Sequence, residues 1–371
     1  MSDFKINSIA TKQGQHGPVI AGVSTVNSTG CMKIPSGPTE FRGGRGRGVV
    51  GGGRDASNPA LDTMDFIEIA TAGNATDFGN LSDGGRDYPA GCGSATRGIF
   101  FGGSEPGFRN IIDFVTMSSS GGANDFGDMI ISPLQNNALS NATRGISSGG
   151  LLAPTPSYTK SNLIEFITIA SAGDATNFGD LTEFNAAAAT CASPTRGIFN
   201  QGSVPTYKKT IEFITIATLG NATRFGESSK AGAGAPMGAS STTRGVFAGG
   251  QFDSPYPQTD IIDFITIATE GNAQDFGDLT AARSHGSGLS NSIRGCFAGG
   301  SSPNKTNVIE FVIIASTANA SDFGDLTVAR DRLGQGAADA HGAFWRAPVP
   351  LVALEQVAHN DRHHFVRFRV E

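Results

Sequence analysis

The most regular feature of the chain is a stretch of alternating character, IEFITIA, at residues 211–217. Side chains alternate along an extended strand, so Ile211, Phe213 and Thr215 face one side and the residues between them face the other. Both sides are rich in β-branched and aromatic residues, which is typical of a strand buried on both faces between neighbouring sheets. The pattern predicts a β-strand, and near copies of it recur along most of the chain.

Each copy of this strand belongs to a unit of about 50 residues that is anchored by an Arg-Gly pair. The anchors are Arg47, Arg97, Arg144, Arg196, Arg244 and Arg294, separated by 50, 47, 52, 48 and 50 residues. Every unit has four strand-sized segments: a run of small residues, an apolar run such as GVFAGG, the alternating strand, and a segment like DFGDLT. This period is typical of four-stranded β-propeller blades and too long for helical hairpin repeats. The chain is therefore predicted to be an all-β, six-bladed propeller.

The first segment of each unit is made almost entirely of Gly, Ala, Ser, Thr, Asn and Cys, as in GCGSAT and GASSTT. Blades are crowded where they meet at the axis, so small side chains there predict a close approach and a narrow centre. The run GQGAADAHGA at 334–343 has the same composition and is placed to complete the blade that begins at Arg47. The propeller is thus expected to span 41–343, with an N-terminal arm at 1–40 and a C-terminal arm at 344–371. A weak seventh echo, AHGAFW from Ala340, leaves a seventh blade built from the tails as an alternative.

The DFGDLT segment recurs six times, whereas a catalytic motif acts once per site, so a framework role is favoured. Its aromatic residues are expected to fill the gaps between blades, and the adjacent Gly to let the outer strand bend; they are Phe78, Phe126, Phe178, Phe225, Phe276 and Phe323. The repeated arginines lie in the turn between the first and second segments. They are expected to link blades by pairing with recurring acidic residues, which are Asp128, Asp180, Asp278 and Asp325. A ring of arginines that binds an anion is the alternative.

Composition narrows the classes of function. The 371 residues include 51 Gly, 38 per cent hydrophobic and 16 per cent charged residues, and the net charge is -6. Scattered Lys and Arg and an acidic balance argue against nucleic acid as a partner. The N-terminus lacks the apolar core of a signal peptide, and no apolar run is long enough to span a membrane. The four cysteines show no paired spacing, so neither a disulfide framework nor a zinc site is predicted, and no cofactor is expected.

Candidate catalytic chemistry is sparse, because the propeller enzymes need singular polar residues that break the repeat. His285 and His341 are 56 residues apart and are the pair that would meet near the axis. His359, Asp361 and His363 share one side of a possible strand in the tail and offer metal-type ligands. Surface or turn positions are the favoured explanation of all of these residues, so no catalytic residue and no metal site is assigned.

The loops between the second and third segments vary in length and content, whereas the GNA turns barely change. In an antiparallel blade these loops and the fourth-to-first connections emerge on one face, which suits a regular frame with a variable binding surface. The loops carry aromatic residues that suit contacts with a protein or a glycan; these are Phe108, Tyr158, Tyr207, Phe252 and Tyr256. Packing of these side chains onto neighbouring loops is the alternative.

The order DLTAAR, small residues, RGCFAGG, NVIEFVIIA and SDFGDL resembles the kelch repeat, with Phe where kelch repeats carry Tyr and Trp. Units such as TRGVFAGG followed by IIDFITIATEGNAQDFGDLTAAR also resemble repeat arrays in structural proteins of marine tailed phages, notably cyanophages. The leader VIAGVSTVNSTGCMKIPSGPTE is similar to short β segments of their tail-fibre proteins. Together these similarities cover residues 17 to 343.

The resemblance implies a non-enzymatic virion component, in the tail or tail fibre rather than the capsid, within a multi-subunit assembly. Its arms would dock on other virion proteins; the C-terminal FVRFRVE alternates in a way that suits strand pairing with another subunit. A host-surface glycan or protein would be the partner of the loops. A capsid decoration protein, or a propeller hydrolase or lyase acting on carbohydrate, are the alternatives.

Overall fold

The computed structural model describes residues 46–339 except 58, 106, 153–158, 201, 205 and 230–233, together with the backbone of 355–356 and 366–367. The described residues of 46–339 form six antiparallel sheets of four strands and contain no helix. The sheets pack side by side in a ring, so the prediction of an all-β, six-bladed propeller is confirmed. The predicted N-terminal arm, most of the predicted C-terminal arm, and the residues His341, His359, Asp361 and His363 lie outside the described residues.

The strands follow the order predicted for each unit. The innermost strands are Ala90–Gly93, Asn137–Ser140, Ala189–Ala192, Met237–Ser240, Ser287–Ser290 and Ala337–Ala338. The second strands are Arg47–Gly51, Arg97–Phe101, Arg144–Ser148, Arg196–Asn200, Arg244–Ala248 and Arg294–Ala298. The third strands are Thr63–Glu68, Ile111–Thr116, Leu163–Thr168, Thr210–Thr215, Ile261–Thr266 and Val308–Ile313. The outer strands are Thr76–Asn80, Asn124–Asp128, Thr176–Asp180, Thr223–Glu227, Gln274–Asp278 and Ser321–Asp325.

Two-residue strands form four small hairpins outside the blades. They pair Leu151–Leu152 with Thr159–Lys160, Ser203–Val204 with Thr206–Tyr207, Ser301–Ser302 with Asn304–Lys305, and Glu355–Gln356 with Val366–Arg367.

Blade 1 combines the two ends of the ring. Ala337 and Ala338 pair with Val49 and Gly48 and supply the innermost strand, as the composition of 334–343 predicted. Blade 6 then packs directly on blade 1, in a buried cluster that includes Leu289 and residues of the second and third strands of blade 1. The seven-bladed alternative is wrong, because this contact leaves no gap for another sheet.

Each of the six seams between blades holds one buried hydrophobic cluster. In the seam between blades 1 and 2, Phe78 of the DFG segment packs with Phe100 and Val115 of the next blade. Its ring also meets Phe66 of its own blade edge to face, with centroids 6.0 Å apart, and the same pair recurs in every blade. The repeated Phe therefore fills the gap between neighbouring sheets.

The glycine of DFG lies at the bend that the sequence predicted and has a second task as well. In every blade the pairing of the third and outer strands shifts register there, as between Met64–Gly79 and Asp65–Asp77. A Cβ on Gly79 would lie 2.4 Å from the carbonyl oxygen of Gly121, in the turn of the next blade, and most of the equivalent glycines meet the same obstacle. The GNA turn completes this joint, because the Asn74 side chain accepts a hydrogen bond from the backbone N–H of Asp325 at 3.1 Å. The two most repeated segments are thus the two halves of one contact between blades.

The repeated arginines also join neighbouring blades. The Arg97 guanidinium lies 4.7 Å from the centroid of the Phe114 ring and donates a 2.9 Å hydrogen bond to the carbonyl of Ile169 in the next blade. The other five arginines stack on the equivalent Phe at 4.3–4.7 Å. The aspartates that were predicted to pair with these arginines lie at the opposite end of the sheet. Asp128 pairs with Ile111 at the start of the third strand, whereas Arg97 pairs with Thr116 at its end.

A buried carboxylate in the third strand of each blade forms a further joint. Hydroxyl and backbone N–H groups that follow the preceding outer strand bond to it, as Thr327 does to Asp65 and Thr280 to Glu310. Three seams add a buried ion pair, namely Arg86–Asp113, Arg283–Glu310 and Arg330–Asp65. These three seams are consecutive, and they lie around blade 1, where the ring is closed.

The seam between blades 2 and 3 lacks both the hydroxyl donor and the arginine. Ile130 stands where other seams have Ser or Thr, Pro133 stands where Arg283 stands, and Glu165 accepts a 2.8 Å hydrogen bond from the Ile130 N–H. Glu165 is only 2 per cent exposed, and this burial raises its pKa from 4.5 to about 7. Burial likewise raises the pKa of Glu212, in the next seam, to about 7.

We expect these two carboxyls to make the propeller more stable at pH 5 than at pH 8. A raised pKa means that the folded state holds a proton that the unfolded chain releases, so stability is lost as pH rises from about 4.5 through 7. Glu165→Gln should raise the free energy of unfolding at pH 8 by roughly 2 kcal/mol and leave it nearly unchanged at pH 4.5. Urea unfolding at a series of pH values measures this difference.

Ile130→Thr is the matched control, because it restores the hydroxyl donor present in Thr280 and should lower the pKa of Glu165. A Glu165→Gln variant with the same dependence of stability on pH as the unaltered chain would contradict the expectation.

Candidate ligand-binding face

The loops between the second and third strands and the segments that connect one blade to the next lie on one face of the ring. We call it the loop face. In most blades, the segment that precedes the innermost strand bridges the loop between the second and third strands, as Asp87 does with Ser104 and Ser284 with Ser301. Several of these loops are themselves small hairpins, such as the one closed by Ser104 and Phe108. The variable loops are therefore fastened to the frame, which limits the conformational entropy that they lose on binding.

The aromatic residues predicted from the sequence are placed differently from one another. Tyr256 is 59 per cent exposed at the tip of its loop, whereas Phe108 and Phe252 are half-buried. The backbone of Tyr207 pairs with Ser203 in a two-residue hairpin. Tyr158 and the side chain of Tyr207 lie outside what the structure describes. Of the five, Tyr256 is thus the aromatic side chain that the structure shows presented to solvent.

A ring of left-handed residues surrounds the axis on the loop face. One residue per blade, just before the innermost strand, has φ between 52° and 58°; the six are Arg332, Tyr88, Gln135, Ala187, Ala235 and His285, in order around the ring. Backbone hydrogen bonds link neighbours, for example Ala235 N–H to the Ala187 carbonyl at 2.9 Å and Tyr88 N–H to the Arg332 carbonyl at 2.7 Å. This conformation costs a non-glycine residue free energy, so the shared geometry reflects the bonding around the ring.

The centre of the propeller is closed below this ring. Gln335 reaches across the axis and donates hydrogen bonds to the carbonyls of Gly238 at 2.8 Å and Gly288 at 2.9 Å. The innermost strands touch backbone to backbone there, since a Cβ on Gly288 would lie 1.9 Å from the Gly238 oxygen. The prediction of a narrow centre is confirmed, and the axis is a blind hole that opens on the loop face.

The blind hole is a cavity of about 40 Å³, and its polar and small walls are on opposite sides. Tyr88, Gln135 and His285 contribute polar side chains, whereas Ala187 and Ala235 leave the other side open. The Tyr88 and His285 rings lie 5.8 Å apart at an angle of 60°. The sixfold frame therefore surrounds a site without sixfold symmetry.

The two ionisable side chains of this cavity are neutral at pH 7. Burial lowers the pKa of His285 to about 4, and burial raises the pKa of Tyr88 to about 12. The Gln135 side chain bonds to the Tyr88 hydroxyl, which opposes that rise in pKa. The cavity thus offers hydrogen bonds from uncharged groups, and His285 is poorly placed to act as an acid near pH 7.

One side of the rim is held by a charged network. Arg54 binds the Asp87 carboxylate through two hydrogen bonds of 3.1 and 2.7 Å, and Arg332 adds a third at 3.0 Å. Arg54 also pairs with Glu105, which is half exposed. The network fixes the segment before Tyr88 to blade 1 and so stabilises the polar wall.

Sequence reasoning found His285 but missed Tyr88, Gln135 and Arg332. The available signal was the variation at one repeat position, directly before each run of small residues. The predicted companion of His285, His341, lies outside the described part of the chain. The structure therefore does not test that pair.

The described residues of 46–339 show no metal cluster and no disulfide. No group of three or more His, Cys, Asp or Glu residues there has the geometry of a metal site. The thiols of Cys92, Cys191 and Cys296 are buried and unpaired by disulfides. In the same region no helix is long and apolar enough to cross a bilayer.

Comparison with known proteins supports the fold and goes no further. No protein-family model matches the chain, and no curated protein is similar to it. Among solved structures it is similar to YjhT, with a TM-score of 0.57, 13 per cent identity, and coverage of 70 per cent of this chain and 91 per cent of YjhT. At this identity the likeness shows a shared six-bladed architecture alone.

Proposed function

We propose that this chain is a non-enzymatic adhesive propeller of a phage virion that binds a surface ligand with its loop face. It is attached to the particle by the opposite face, which carries the GNA turns and which we call the turn face. The observation that carries the proposal is the contrast between the two faces. The repeated segments all serve contacts between blades, whereas the loop face carries loops that differ from blade to blade. A rigid frame with one varied face is the usual arrangement of a binding module.

The exits of the chain support this orientation. Arg47 and Asp339 bond to each other through two hydrogen bonds, Arg47 N–H to the Asp339 carboxylate at 2.8 Å and Asp339 N–H to the Arg47 carbonyl at 3.0 Å. Both lie at the turn face of blade 1, so the described ring begins and ends on the side opposite the loops. Attachment through the arms leaves the loop face free.

The resemblance of the repeats to kelch units and to repeat arrays of marine tailed phages supplies the biological setting. It favours a tail or tail-fibre position, with other virion proteins as partners of the arms and a host-surface glycan or protein as partner of the loops. The neutral cavity, closed at its floor, supports binding rather than general acid–base catalysis.

The test is attachment of the full-length protein to a panel of cyanobacterial strains. Replacing Tyr158, Tyr207 and Tyr256 together by Ala should weaken attachment at least tenfold, on the scale of about 1.4 kcal/mol expected for an interface anchor. Thermal stability should hardly change, because at least Tyr256 lies outside the blade core.

Leu219→Ala is the matched control, since Leu219 is a large apolar side chain equally exposed, at 58 per cent, on the turn face. Attachment that is lost with Leu219→Ala and kept in the triple variant would reverse the orientation of the proposal. Release of new reducing ends or unsaturated sugars from the cell polysaccharide would replace it with the carbohydrate-active enzyme alternative.

A further inference from the structure

Blade 6 departs from the repeat at two exposed positions of the turn face. Ile293 directly precedes Arg294, at a position where four other blades have Thr and blade 1 has Gly46. Ile313 pairs with Arg294 at the end of the third strand, where four blades again have Thr and blade 1 has Glu68. Ile293 is 48 per cent exposed and Ile313 is 38 per cent exposed. Blade 6 therefore presents apolar surface to water where the other blades present polar or small groups.

The two isoleucines occupy neighbouring positions, and we call them the blade 6 apolar pair. The N–H of Ile314 donates a 2.8 Å hydrogen bond to the carbonyl of Ile293, which places Ile293 beside the end of the third strand. Ile313 faces the seam with blade 1, because side chains alternate along a strand and Phe311, two residues earlier, packs in that seam. Single exposed apolar residues are ordinary, but a neighbouring pair at positions that are otherwise polar or small indicates a contact surface.

The described ring ends close to this pair. Arg294 donates a hydrogen bond of 3.4 Å to the carbonyl of Ile69 in blade 1, and the Ile69 N–H donates one of 2.7 Å to the carbonyl of Gly46. The next residue, Arg47, is bonded to Asp339 through both of its backbone polar groups. A continuous path of hydrogen bonds thus joins the blade 6 apolar pair to Asp339, the residue at which the described ring ends.

The residues that follow Asp339 in the sequence have the composition to cover this pair. The run AFWRAPVPLVAL at 343–354 has one charged residue in twelve and contains Trp345, the only Trp of the chain. Phe344 follows Asp339 by five residues, which reach at most about 17 Å when fully extended. Packed sheets are about 10 Å apart, so this length is enough to cross from blade 1 to blade 6.

The sequence on the N-terminal side of the ring is less suited to this surface. The residues RGGR at 42–45 precede Gly46 and would bring two positive charges to a surface that already holds Arg47 and Arg294. Like charges at close range repel one another. The nearest large apolar residue there, Phe41, stands between Glu and Arg in the sequence. The apolar run at 343–354 is therefore the better occupant.

We propose that residues 343–354 form a strap that packs on the blade 6 apolar pair and ties blade 6 to blade 1 across the closing seam. Burial of apolar side chains from both the strap and the pair stabilises the contact. The strap gives the C-terminal arm a fixed origin on the turn face and leaves the N-terminal arm free to contact other proteins. A strap of this kind would serve a propeller of any function, so its test is independent of cell attachment.

The fluorescence of Trp345 reports on the strap alone, because the chain has no other Trp. In the full-length protein we expect emission at short wavelength and shielding from acrylamide. The double variant with Ile293→Thr and Ile313→Thr should shift the emission to longer wavelength and remove the shielding. Its far-UV circular dichroism should be unchanged, since Thr is native at both positions in four blades, and Asn291 can bond the new hydroxyl as Asn141 bonds that of Thr143.

Two more variants separate loss of this contact from other effects. Phe344→Ser alters the strap and leaves the ring unchanged, and it should expose Trp345 as the double variant does. Leu219→Thr is the matched control, because Leu219 is 58 per cent exposed on the turn face of blade 4, on the opposite side of the ring from blade 1. The emission of Trp345 should be the same in Leu219→Thr as in the unaltered chain.

Three results would overturn the proposal. Emission typical of a Trp in water from the unaltered chain means that the strap is uncovered. Shielding that persists in the folded double variant means that residues 343–354 pack elsewhere. Shielding that falls on dilution, together with a dimer in light scattering, assigns the blade 6 apolar pair to the strap of a second copy rather than to its own.

Discussion

Arg330→Met is expected to lower the free energy of unfolding by about 3 to 5 kcal/mol, the usual effect of removing one partner from a buried ion pair. Arg330 and Asp65 both have side chains with no exposure, and their charged groups are 3.2 Å apart. Met fills much of the same volume, so the loss comes mainly from the carboxylate that is left buried without its cation. Urea or guanidinium unfolding at pH 7 measures the change.

Two further variants separate this cause from a packing defect. Adding Asp65→Asn to Arg330→Met removes the buried charge and should recover a large part of the lost stability. Arg109→Met breaks the pair with Asp83, whose carboxylate is more than half exposed, and should cost at most about 1 kcal/mol. If Arg330→Met behaved like Arg109→Met, the buried pair would have no special role in the seam.

Gly288→Ala is expected to have a similarly large effect, about 3 kcal/mol or more, because it overpacks the centre of the ring. The added Cβ would lie 1.9 Å from the Gly238 oxygen and 2.7 Å from its carbonyl carbon. Both obstacles are backbone atoms of a strand that is itself held by neighbours on each side. The inner wall therefore has no side chain that can move aside.

Gly107→Ala is the control, because Gly107 has nothing within 4 Å of an added Cβ and lies in a loop. Thermal unfolding and the yield of folded protein should be unchanged in this variant. A sharply reduced yield of Gly288→Ala beside a normal yield of Gly107→Ala meets the expectation. Equal melting temperatures of the two variants would contradict it.

The blade order, the ring closure and the crowded centre follow from the sequence because each is repeated. Five copies of a small-residue run and a sixth at 334–343 carry the same information several times, so noise at single positions matters little. The partner of Arg97 was predicted wrongly for a related reason. Repetition shows that an arginine recurs, but the end of the sheet on which an aspartate lies depends on counting strand directions and residues correctly.

The axial cavity follows from the sequence least, since its character comes from positions where the repeat varies. Tyr88, Gln135 and His285 are unlike one another, and without the ring geometry nothing marks them as neighbours. The position itself is recognisable only through its φ angle, which Ala, Gln and Tyr share here with no common side-chain signal. Glu165 is a similar case, because its missing partners become evident only when the seams are superposed.

The pairing of Ala337 and Ala338 with the second strand of blade 1 also sets an order of events during synthesis. The bond between Arg47 and Asp339 joins residues 292 positions apart, so blade 1 stays incomplete until nearly the whole described ring has left the ribosome. Blades 2 to 6 each consist of one continuous segment and can form earlier, while such distant contacts close slowly. Until then the second strand of blade 1 keeps an open edge that another chain can pair with. When many copies are synthesised close together, exchange of the closing strand between chains is therefore favoured. The ion pairs around blade 1 oppose this exchange by stabilising the correctly closed ring.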